Sequence, residues 1–60
     1  NDTVNLNAAQ VLIMQMKKEG VGEGAMDRVQ RYLERVQKKD PANEKLQALL
    51  RLKGELGPAD

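Results

Sequence analysis

The run Ala8-Ala9-Gln10-Val11-Leu12-Ile13-Met14-Gln15-Met16 constrains the rest of the chain more than any other stretch. Wound as a helix at about 100° per residue, its apolar side chains sweep roughly 260° of the helical wheel. A helix lying on a single core needs an apolar stripe of about 100° or a little more. One neighbour therefore cannot cover this segment. At least two further elements must pack on it, and whatever they leave bare is exposed apolar surface.

The two further elements are legible downstream. Met26, Val29, Leu33 and Val36 recur at spacings of three and four and form one clean apolar seam, with Tyr32 at its edge. Leu46, Leu49, Leu50, Leu52 and Leu56 give a third segment a broad apolar face. No segment alternates polar and apolar residues with β-branched enrichment, so strands are not expected. Phe and Trp are absent, and the core has to be built from Leu, Val, Ile, Met and Ala. A chain of 60 residues makes one domain, and at that size folding buries only about 60% of the unfolded surface. The expected fold class is all-α: three antiparallel helices in a single domain over 1–60, two forming a hairpin and the third packing on or capping it.

Boundaries follow from capping chemistry. Asn7 is the favoured N-cap of the first helix, with Gln10 able to reach back and Leu6 and Val11 at the two staple positions; Asn5 competes as a cap. Lys17 and Lys18 put positive charge on the last turn, where the helix dipole is negative, and Gly20 ends the helix. The segment Gly20-Val21-Gly22-Glu23-Gly24 reads as an interhelical loop. A phosphate cradle would follow a strand and carry a Lys, and this loop does neither. Asp40-Pro41 closes the second helix and opens the third, Asp as N-cap and Pro at the first helical position. Gly54 weakens the last turn, and Gly57-Pro58 is a stop. The helices are thus expected at about 8–19, 25–39 and 41–56. The chain opens on Asn, which reads as a piece cut from something longer.

The residue inventory argues against catalysis. The chain has no His, Cys or Ser, and its one Thr, Thr3, lies in a polar end. Nucleophile-and-base arrangements need one of these or an activated Lys, and metal sites of the imidazole or thiolate kind have no ligands. The carboxylates Asp27, Glu34, Asp40, Glu44 and Glu55 are dispersed. No catalytic, cofactor-binding or metal-binding residue is assigned, no cofactor is expected, and no small-molecule substrate is implied. Ten Lys and Arg against nine Asp and Glu leave a net charge of +1, which sets no strong electrostatic preference for a partner. No apolar run reaches the ~18 residues of a bilayer span, and no basic segment precedes the apolar one as in a signal peptide. No membrane association is expected, and the cytoplasm is the expected location.

Two surfaces remain as binding candidates. If Ala9, Leu12, Ile13 and Met16 face the other two helices, Val11 and Met14 point away from them, with Lys18 a turn further on. Met is a flexible, polarisable contact residue, and this face is expected to meet a protein partner or a second copy. The alternative is that the third helix wraps round and buries it. The other surface is the basic face of the second helix, where Arg28, Arg31, Arg35, Lys38 and Lys39 lie opposite the apolar seam within an arc of about 100°. It could neutralise phosphates, although Asp27 and Glu34 border it.

The stretch from Gly24 to Gly57, with Tyr32-Leu33-Glu34-Arg35-Val36-Gln37-Lys38-Lys39-Asp40-Pro41-Ala42-Asn43 at its centre, resembles a boundary between tetratricopeptide repeats. Val29, Leu33 and Val36 fall where that family places packing residues ahead of its proline, and the period of ~34 residues fits one and a half units. The first helix departs from the pattern, with Lys17 and Gly20 where small and aromatic residues are usual. Asn5-Leu6-Asn7-Ala8-Ala9-Gln10 before an apolar helix further resembles C-terminal repeat segments of bacterial response regulators, in which helical repeats follow a receiver domain. The resemblance implies a helical hairpin plus a third helix, and protein–protein interaction in bacterial signal transduction without catalytic residues. A small nucleic-acid-binding bundle using the basic face is the alternative.

Overall fold

A computed structural model describes residues 1–56. They form three α-helices: α1 (Asp2–Glu19), α2 (Ala25–Lys39) and α3 (Glu44–Leu56). The fold is all-α, and among the described residues there is no strand. Consecutive helices run antiparallel, so α1 and α3 share a direction. Lys45 of α3 meets Asn7 near the start of α1, and Leu52 lies beside Ile13 and Lys17 toward its end. The central element is α1: it packs most extensively on α2 and next on α3, which touch each other least.

The start of α1 corrects the expectation. Asn1 caps it in place of Asn7, its Oδ1 accepting from the N–H groups of Thr3 at 2.8 Å and Val4 at 3.4 Å. Asp2 in the first turn also faces the positive end of the dipole. Three asparagines in seven residues were competent caps locally; the choice among them is tertiary. Leu6 is buried in the core, and it can lie on the same face as Ala9, Ile13 and Met16 only if the helix already includes it.

 That face is Leu6, Ala9, Ile13 and Met16, at spacings of three, four and three. The expected Leu6–Val11 staple does not form, since Leu6 points into the core and Val11 into solvent. With the helix running through it, Asn7 frees its side chain to accept from Lys45 Nζ at 2.9 Å.

The α1–α2 turn is set by two glycines. Gly20 takes φ 92° and ψ 165° while its N–H donates to the Met16 carbonyl at 2.8 Å. That backbone region belongs almost entirely to glycine. Gly24, at φ 78°, is left-handed and opens α2 without a side-chain cap.

The start of α3 is the second correction. Asp40 stays extended at φ −147° and ψ 74°, as a residue before proline must, and its N–H closes α2 on Val36 at 2.7 Å. Pro41 and Ala42 form a turn, with the Asn43 N–H donating to the Asp40 carbonyl at 3.1 Å. Asn43 then caps α3, its Oδ1 accepting from the Leu46 N–H at 3.0 Å. The chain must reverse direction between α2 and α3, and a reversing turn occupies the residues that a continuous Asp-Pro junction would have made helical. The expected Gly57-Pro58 stop lies outside the described residues.

The core contains Leu6, Ala9, Ile13 and Met16 from α1, Val29, Leu33 and Val36 from α2, and Leu46 and Leu49 from α3. Tyr32 is half-buried against it, as an edge position implies. Among the described residues no polar or charged side chain is buried, so hydrophobic burial and helix hydrogen bonding hold the bundle together.

Candidate functional site

The face of α1 turned away from the core carries a second apolar stripe. Val11 and Met14 are each 61% exposed and Val4 is 63% exposed. With Lys18, which is also exposed, these residues fall within about 80° of the helical wheel. The third helix does not wrap round to cover Val11 and Met14. Its apolar residues Leu46 and Leu49 go to the core instead. Val4 belongs to this stripe but falls before residue 8, the expected start of the first helix. Its signal was a spacing of seven from Val11, which returns to nearly the same point on the wheel.

Beside this stripe, α1 and α3 enclose an open groove of about 530 Å³, lined by Gln10, Ile13, Met14, Lys17, Lys18 and Leu52. Ile13 is fully buried and closes the floor. Leu52 is half-buried and Met14 exposed, so the walls are apolar and the two lysines stand at one end. Of the three residues expected to meet a partner, Met14 and Lys18 line the groove. Val11 lies outside it, on the neighbouring outward surface of α1. Nothing local joins Leu52 to this site, since it arrives from a distant helix.

The basic face of α2 is also where the pattern placed it. Arg28, Arg31, Arg35, Lys38 and Lys39 are all exposed. Arg28, Arg31 and Arg35 line a smaller hollow of about 150 Å³ with Tyr32. The Arg35 guanidinium carbon lies 5.9 Å from the centre of the Tyr32 ring, within range of a cation–π contact. Lys38 and Lys39 stand outside this hollow, in the last turn of the helix. Arg28 borders a further hollow with Glu19 and Glu23, so the face meets carboxylates at its N-terminal end. On its flank, Glu34 accepts a hydrogen bond from Gln30 Nε2 at 3.0 Å.

Among the described residues, no three His, Cys, Asp or Glu side chains come together as a group that could hold a metal ion. No helix there is long and apolar enough to cross a membrane. Comparison with protein-family models, with curated proteins and with solved structures finds no match for the chain.

Proposed function

We propose that this chain is a non-catalytic, repeat-like helical module of a larger bacterial regulatory protein, acting in the cytoplasm through protein–protein contact on the outward face of α1. The observation that carries this reading is the exposure of Val11 and Met14 on a helix whose opposite face is fully packed. Three apolar residues aligned on one exposed stripe invite association. A helical hairpin followed by a third helix parallel to the first is also the arrangement that a tetratricopeptide-like boundary requires. The test is the double variant Val11→Lys/Met14→Lys in the parent protein. Circular dichroism of the variant should match wild type, while site-specific photo-crosslinks from α1 to protein, or its self-association in sedimentation equilibrium, disappear. Unfolding of the variant would make these residues core and remove the support for the reading.

The grouping of three arginines around Tyr32 favours a second reading, a nucleic-acid-binding bundle. It requires a gel shift that weakens steeply with salt and is lost in Arg31→Glu/Arg35→Glu. A shift indifferent to that variant ends this reading.

A further inference from the structure

We propose that the groove between α1 and α3 receives an amphipathic helix bearing carboxylates, with apolar anchors one turn apart and an acidic residue beyond them. This rests on the reading of α1 as an interaction face and names the chemistry of what docks there.

Two observations select this occupant. The first is shape. The Lys45–Asn7 hydrogen bond at 2.9 Å ties α3 to the first half of α1, and the groove of about 530 Å³ opens further along. From Gln10 to Lys17 it runs along eight residues of α1, seven steps or about 10 Å at 1.5 Å per residue. That length takes two turns of a docked helix, and apolar residues at i and i+4 can reach Met14 and Leu52 over the Ile13 floor.

The second observation is charge. Both ionic side chains lining the groove, Lys17 and Lys18, are cationic, and no carboxylate lines it among the described residues. The whole chain is almost neutral, at +1, so this local excess belongs to the groove end and not to the protein at large. An incoming acidic residue would meet two ammonium groups, and a basic one would be repelled. A convex segment carrying carboxylates would fill the groove and meet its lysines, and Met14 supplies an adaptable wall for it.

The experiment uses the full chain and two synthetic helical probe peptides with the same Leu anchors at i and i+4. One carries Glu beyond the anchors and the other Lys. Affinity is read by fluorescence anisotropy and the binding site by amide chemical-shift mapping. The Glu peptide is expected to bind about tenfold or more tightly than the Lys peptide, the size given by reversing two exposed ion pairs. The shifts should centre on Gln10, Met14, Lys17, Lys18 and Leu52. Lys17→Glu/Lys18→Glu should invert the preference, and Lys17→Gln/Lys18→Gln, which retains side-chain bulk, should abolish it. Equal binding of both peptides overturns the acidic partner and leaves the interaction face standing. Shifts confined to Val4 and Val11 overturn the groove. If neither peptide binds and the chain sediments as a dimer sensitive to Val11→Lys/Met14→Lys, the occupant is a second copy and the proposal fails. If there is neither peptide binding nor association, the proposal and the interaction reading fail together.

Discussion

Ile13 and Met14 are adjacent in the sequence and both apolar, yet Ile13 is fully buried and Met14 is 61% exposed. Their difference is that between the two faces of α1. On the inner face Leu6, Ala9, Ile13 and Met16 meet both other helices. On the outer face Val4, Val11 and Met14 are each more than half exposed. A wide apolar wheel therefore carries two separate meanings. Part of it is cohesion within the chain, and the rest is surface left over once two thin helices have taken what they can cover.

The largest expected effect tests the inner face. Ile13→Ala should destabilise the bundle by about 2–5 kcal/mol, the usual range for truncating a buried aliphatic side chain. That approaches the total stability of a domain this small, so urea denaturation followed by circular dichroism should find the variant largely unfolded. A loss below about 1 kcal/mol would erase the distinction between the faces. An intermediate effect tests why the faces divide where they do. At Gly20 the backbone turns so that α2 folds back onto the inner side of α1, and a Cβ there meets nothing within 4 Å. Gly20→Ala should still cost about 1–3 kcal/mol from backbone strain alone, visible as a lowered urea midpoint. No change would mean that the turn can form another way. The smallest effect belongs to the outer face. Val11→Lys and Met14→Lys should each shift stability by no more than about 0.5 kcal/mol, as exposed positions do, in a thermal melt. A loss of 2 kcal/mol or more at either would place it in the core.

Legibility from the sequence followed how local the signal was. The bounds of α2 came out as expected because its signals are all local: a glycine before it, a clean seam through it, and Asp-Pro after it. The starts of α1 and α3 did not, because each had more than one competent cap nearby. Burial of Leu6 selected Asn1 over Asn7, and reversal of the chain at Pro41 and Ala42 selected Asn43 over Asp40. The basic face of α2 was visible because helical periodicity alone gathers Arg28, Arg31 and Arg35. Their grouping around Tyr32 adds only the geometry of the ring contact.

The sequence by itself determined that this chain is helical, that it has three segments, and that the first of them has more apolar surface than one neighbour can cover. Those are consequences of periodicity and residue type, which act within a few residues. Only the tertiary structure decided that α3 leaves Val11 and Met14 uncovered, that Val4 extends their stripe, and that Leu52 joins Met14, Lys17 and Lys18 around one groove. Such choices depend on where helices distant in the chain come to rest, and that is settled by packing volume and chain reversal.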